Sequence, residues 1–215
     1  MNAAPQDFGE ICAIVLAAGA GSRFGAGPDR DAEAPPGDAR HKLWADLRGR
    51  PVYRWALDAV LAAGFANVVL VTGTVELDVS DVDPAVSRLT VATNPRWAEG
   101  QATSLQCGLR VAIELGASAM IVGLGDQPFI TTGAWRAVAA SSAEIAVATY
   151  GGVRGNPVLL RASVWPLLPI AGDQGARSLI AQRPDLVGPV ACIGSPADID
   201  TMEDLQQWNS STNSP

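Results

Sequence analysis

The chain has 215 residues, with 15 basic against 22 acidic side chains, a net charge of −7 and a single histidine. That length suits one α/β domain with a sizeable core, and the acidity excludes a non-specific nucleic-acid binder, which needs a basic face. One His and three scattered cysteines (Cys12, Cys107, Cys192) exclude a zinc cluster and give no disulfide framework, so a His-centred triad would rest on His41 alone.

In chain order, residues 1–10 lack the basic start and apolar run of a signal peptide and read as a flexible N-terminus. Residues 11–17 are a short apolar run, read as a buried strand. Residues 25–40 are rich in Gly, Pro and charge, with almost nothing to bury. Together with His41 they read as a mobile insertion, 26–41, in a single domain spanning 11–208. Residues 52–63 carry apolar side chains at helical spacing after Pro51 and before Gly64. Strands are expected at 67–72 and 89–92, a helix at 103–115 capped at Thr103-Ser104, a strand at 119–124, a helix at 131–140 and a strand at 143–149. Continuous apolar strands between helices indicate a parallel sheet covered on both faces. After Thr149 the pattern changes: a hairpin over 150–160, short helices at 162–168 and 176–182, a strand at 187–193, a helix at 201–208 and a polar tail over 209–215. No apolar run nears the roughly 18–20 residues that span a bilayer. Together with the unpaired thiols, this gives a cytoplasmic expectation with neither membrane nor nucleic acid as partner.

Four segments carry chemistry. Leu16-Ala17-Ala18-Gly19-Ala20-Gly21-Ser22-Arg23-Phe24-Gly25 follows the first strand. Small residues let backbone pass close to a ligand, successive N–H groups form an anion nest, and Arg23 adds a fork suited to phosphate. It is not a P-loop, lacking Lys-Ser/Thr after the last Gly. Nor is it a dinucleotide fingerprint, which needs Gly where Phe24 stands. Lys42 is a second cation, which on its own reads more readily as solvated than as a phosphate ligand. Gly123-Leu124-Gly125-Asp126-Gln127-Pro128 places a carboxylate at a strand's carboxyl end, where open α/β sheets bind ligands and where Mg²⁺ takes one or two carboxylates plus substrate phosphates. A turn or cap role suits Asp126 as well. In Asp198-Ile199-Asp200-Thr201-Met202-Glu203-Asp204, alternation puts Asp198 and Asp200 on one side. Thr201 and Asp204 form a variant capping box, and Asp200 is a candidate second metal ligand. Polar loops at 94–105, 155–158 and 172–177 are further candidates.

Taken in order, Leu-Ala-Ala-Gly-x-Gly-x-Arg, Asn-Pro-x-Trp-x-x-Gly, Gly-Asp-Gln-Pro, Gly-Asn-Pro-Val, Gly-Asp-x-Gly-Ala-Arg and Asp-Ile-Asp-Thr-x-Glu-Asp-Leu resemble the MobA-like nucleotidyltransferase family over about residues 11–205. Within it the chain looks most like the molybdenum cofactor cytidylyltransferase branch. The resemblance implies a three-layer Rossmann-like fold, mostly parallel with a small antiparallel extension in the C-terminal half. It also implies Mg²⁺ dependence and transfer of CMP from CTP to a phosphorylated, molybdopterin-type acceptor, with a molybdoenzyme maturation partner in view. Carried over, Leu16, Ala17, Ala18, Gly19, Ala20 and Gly21 bind nucleotide with Arg23, Lys42, Gln101 and Ser104. Arg23, Lys42 and Asp126 are catalytic; Asp126 and Asp200 hold the metal; Gln127, Asn156 and Asp173 contact the acceptor. Ala18 resembles the CTP-using pattern, where guanylyltransferase relatives read Leu-Ala-Gly-Gly. The chain departs from the family at Phe24 (usually Met), at Asn156 (often His), and in the residues separating Gly25 from Lys42, which make Arg40 an alternative phosphate cation.

Overall fold

The computed structural model describes residues 8–21, 24, 41–83 and 88–210. Most of the expected insertion (residues 26–40), residues 1–7 and residues 211–215 lie outside these. At the edges of the three segments expected to be flexible, the described residues are anchored. Phe8 is buried with its ring 5.2 Å from that of Phe65, His41 is buried, and residues 209–210 end a helix.

Among the described residues, seven strands form one sheet in the order β5-β4-β1-β6-β8-β7-β9. They are β1 (Ile11–Ala17), β4 (Asn67–Thr72), β5 (Arg88–Thr93), β6 (Ala119–Leu124), β7 (Ile145–Tyr150), β8 (Val153–Arg161) and β9 (Val187–Ala191). β1 pairs in parallel with β4 and β6, β4 with β5, and β7 with β9; β8 alone runs antiparallel to its neighbours β6 and β7. The antiparallel hairpin is therefore inserted inside the sheet, not appended at its edge. A two-stranded ribbon, β2 (Asp46–Leu47) with β3 (Arg50–Pro51), was not expected.

Alternation along the strands separates two cores. Ala13, Val15 and Ala17 face α1 (Val52–Leu61) and α3 (Thr132–Ala139); Cys12, Ile14 and Leu16 face α2 (Gln101–Glu114) and α4 (Arg177–Gln182). The result is helix, sheet and helix in three layers, as the continuous apolar strands require. A third cluster joins Phe24 to Leu47, Phe129 and Leu205 of α5 (Met202–Ser210), tying the glycine segment to the last helix.

Helix ends follow local chemistry. Thr131 Oγ1 accepts the Ala134 amide at 3.1 Å, and Thr201 and Asp204 form the expected reciprocal cap, Asp204 Oδ2 accepting from the Thr201 amide at 2.9 Å. α2 corrects the expected cap at Thr103-Ser104. It begins at Gln101, because Gly100 turns the chain at φ 104° and the Ala102 amide finds the Gly172 carbonyl at 2.9 Å. No helix among the described residues is long and apolar enough to cross a membrane.

Candidate functional site

Leu16 of β1 stands beside Leu124 of β6, so the segments leaving both strands emerge side by side at the carboxyl end of the sheet. The Gly125 amide donates to the Leu16 carbonyl at 2.9 Å, holding the two together. Above them lies a cleft of about 300 Å³ lined by residues 16–20, by Lys42 and Asp126, and by Trp97, Gln101, Ser104 and Asp173.

The glycine segment is braced by the one histidine. The Leu43 amide donates to His41 Nδ1 at 3.3 Å, which leaves the ring proton on Nε2 to donate to the Gly19 carbonyl at 2.8 Å. Gly21, at φ 62°, packs against the same ring: a Cβ there would come within 3.1 Å of it. His41 is thus a strut, and Gly21 serves the turn without lining the cleft. Arg23 and its alternative Arg40 lie outside the described residues.

Lys42 carries the central electrostatics. Its ammonium reaches Asp126 Oδ2 at 2.5 Å and Asp200 Oδ1 at 2.6 Å, joining residues 84 and 158 positions apart. Burial favours the neutral amine, yet the two carboxylates outweigh it and hold the ammonium above its ordinary pKa. Asp126 Oδ1 is buried and accepts no hydrogen bond among the described residues. A buried carboxylate oxygen without a donor suits a hard divalent cation, and Asp126 with Asp200 are the residues that would hold one. Among the described residues no group of three or more His, Cys, Asp or Glu is arranged to hold a metal. With two carboxylates, waters or a substrate's oxygens would complete such a cation's shell.

The residues expected at an acceptor divide. Asp173 lines the first cleft, beside Gln101. Gln127 and Asn156 line a second cleft of about 370 Å³ that also contains Asp198, Arg154 and Arg177. A small pocket of about 40 Å³ borders both, sharing Leu16 and Gln101 with the first and Asn156 and Arg177 with the second. Polar groups at the second cleft's inner end satisfy each other. Asn156 Nδ2 donates to Gln127 Oε1 at 2.8 Å, Gln127 Nε2 donates to Asp198 Oδ1 at 2.6 Å and the Pro196 carbonyl at 2.9 Å, and Tyr150 Oη donates to the Asn156 carbonyl at 2.7 Å. Burial, then the neighbouring Asp126 carboxylate, pushes the Asp198 carboxyl above the usual range.

Two loops are stitched over the cleft mouth. A Cβ on Gly100 would lie 2.5 Å from the Gly172 carbonyl, an approach only glycine permits. Asn94, 3% exposed, donates to both Thr103 Oγ1 and Ser104 Oγ at 2.9 Å, fixing the first turn of α2. Sequence reasoning included Trp97 only as part of its loop and missed Arg154; the aromatic in a polar Gly-containing turn was the available signal.

A model of the MobA-like NTP transferase domain matches residues 13–187. The nicotine blue oxidoreductase of Paenarthrobacter nicotinovorans is 28% identical over 211 residues, covering 91% of this chain and 94% of that protein. Rv0371c from Mycobacterium tuberculosis H37Rv superposes with a TM-score of 0.72 at 26% identity, covering 94% of this chain and 99% of that one. The same protein in complex with manganese gives 0.69 at 25%, covering 94% and 100%. A nucleotidyl transferase from Methanothermobacter thermautotroptrophicus, Mth528, shares the fold at TM-score 0.73 and 24% identity, covering 92% and 95%.

Proposed function

The chain belongs to the MobA-like NTP transferase family, and on that premise we propose that it transfers CMP from CTP to the terminal phosphate of a molybdopterin-type acceptor, releasing pyrophosphate. The observation that carries the reading is the meeting of the glycine segment, Lys42 and Asp126 in one cleft at the carboxyl ends of β1 and β6.

In this reading residues 16–20 cradle base and triphosphate, with Gly21 shaping their turn and Gln101 and Ser104 toward base and ribose. Arg23 and Lys42 hold the phosphates; Gln127 and Asn156 meet the acceptor, with Asp173 at the junction. Asp126 and Asp200 hold a divalent cation, expected to be Mg²⁺, which supplies charge neutralisation to the triphosphate when bound. The manganese complex of the similar Rv0371c supports a divalent site. An acceptor phosphate oxygen attacks the α-phosphorus, the bond from that phosphorus to the bridging oxygen breaks, and pyrophosphate leaves with the electron pair. The attacking oxygen is already anionic, so no general base is required, which suits a cleft whose nearby histidine is committed to backbone. The chain's residues then act by positioning and by meeting negative charge.

The test is pyrophosphate release with each of the four nucleoside triphosphates, Mg²⁺ or Mn²⁺, and molybdopterin-type acceptor. Release confined to CTP and acceptor is expected; release with another triphosphate moves the base specificity, and none with any pair overturns transfer. The relative named nicotine blue oxidoreductase favours a second reading, an oxidoreductase in the same cleft. Phe24, buried in a core cluster where a dinucleotide loop needs glycine, speaks against it. Saturable NADH or NADPH binding with no nucleoside triphosphate binding would favour it.

A further inference from the structure

Lys42 is the only lysine in the chain, against fourteen arginines. Its ammonium donates to Asp126 Oδ2 at 2.5 Å and to Asp200 Oδ1 at 2.6 Å, so it stands at a point from which both carboxylates are reached at once. Those are the two carboxylates that fit a divalent cation, and the ammonium completes them only in part. It brings one positive charge to two negative ones, and the buried Asp126 Oδ1 still accepts no hydrogen bond among the described residues. The side chain also has another place to go. Lys42 lines the first cleft with residues 16–20, and among the described residues of that lining it is the one cation. The backbone beneath it is pinned: the Trp44 amide donates to the His41 carbonyl at 2.9 Å, Trp44 Nε1 donates to the Glu76 carbonyl at 3.1 Å, and Leu43 is buried. What is left to move is a flexible four-carbon stem with a compact charge at its tip. An arginine fork would grip carboxylates in a fixed plane, whereas a lysine can turn its charge elsewhere.

We propose that Lys42 is an exchangeable placeholder for the divalent cation: without nucleotide its ammonium bars the cation from Asp126 and Asp200, and it gives way when a triphosphate offers it oxygens in the same cleft. Two cations between one pair of carboxylates repel each other strongly, and solvent does little to screen them where the ammonium's side chain is only 13% exposed. A triphosphate is in turn repelled by Asp126 and Asp173, which face the same cleft, until a cation stands between. Each arrival therefore favours the other, and such a coupling is reciprocal. The site takes up cation and nucleotide together, and neither well alone. The inference deepens the transfer reading by naming how its site is regulated, and it rests on that reading for the presence of cation and triphosphate in the first cleft.

The test is cation binding, with no turnover required. Free Mn²⁺ is followed by electron paramagnetic resonance as it is titrated against the full chain without nucleotide. K42M is expected to bind one Mn²⁺ about tenfold tighter than wild type, the scale of a site-to-site coupling. K42M/D126N is expected to lose that gain, and K42R, which keeps the charge, to bind no tighter than wild type. No gain in K42M, a gain that survives in K42M/D126N, or an equal gain in K42R overturns the proposal. K42Q, whose amide can still donate to a carboxylate, carries the same expectation and replaces K42M if that variant does not fold in chelator. Binding of CTP with Mn²⁺ to the wild type is measured in parallel by calorimetry. Its absence beside a gain in K42M strikes the transfer reading and leaves the barrier at Lys42 standing; its presence without a gain in K42M strikes the placeholder alone.

Discussion

The two clefts differ in where their charge is committed. In the first, the described cation is taken: Lys42 is held between Asp126 and Asp200, and it is a carboxylate oxygen, Asp126 Oδ1, that has no partner among the described residues. In the second, the amides of Gln127 and Asn156 are satisfied by each other, by Asp198 and by backbone, and it is the cations, Arg154 and Arg177, that have no partner among the described residues. The first is built to receive positive charge at its acids and the second to receive negative charge. A metal-bearing nucleotide in one and an anionic acceptor in the other would complete both. Charge placement, more than cavity volume, distinguishes the two clefts.

The comparison is broken hardest at Asp126. Asp126→Ala is expected to lower pyrophosphate release by about 10²-fold or more, the scale of one preorganised electrostatic contact; near-normal divalent-dependent release would remove Asp126 from the chemistry. Lys42→Ala leaves two carboxylates facing each other. We expect a loss of about 1–3 kcal/mol in chelator, less than for a fully buried pair because Asp200 keeps 35% of its side chain in solvent. Millimolar Mg²⁺ should recover much of that in a thermal melt, and a variant as stable as wild type in chelator would show the bridge to be idle. Gly100→Ala places a methyl against the Gly172 carbonyl at positive φ, and about 2 kcal/mol of destabilisation by urea titration is expected. Gln127→Ala strands the Asn156 and Asp198 groups. It should cost about 1–2 kcal/mol of stability and raise the acceptor KM while leaving the Kd for CTP unchanged; an equal change in both constants would merge the clefts into one site.

Much of this architecture was legible in residue order. The strands at 11–17, 67–72 and 119–124 have the bounds their apolar runs predict, since a parallel strand buried on both faces leaves no polar position inside it. The ribbon of β2 and β3 escaped because two residues per strand show no period. Its turn, with both Arg48 and Gly49 at positive φ, was its only signature. α2 started early because the partner of its first-turn amide comes from residue 172, which no local rule anticipates. The site residues were found by type and loop, but not by grouping. Nothing in the spacing of Lys42, Asp126 and Asp200 announces a shared ion pair. Asp173 and Gln127 both follow glycine-bearing turns, yet they line different clefts, and nothing in either turn distinguishes them.

The strut formed by His41 has a consequence for observation. There is one imidazole in the whole chain, and its two nitrogens are engaged by Leu43 and by the glycine segment next to Lys42. Its ring protons therefore give a single set of imidazole signals in a proton NMR spectrum. A ligand in the cradle that lengthens or breaks the bond to Gly19 would shift that resonance. The scarcity of histidine that excludes so much chemistry thus equips the molecule with a built-in reporter of its own ligand state.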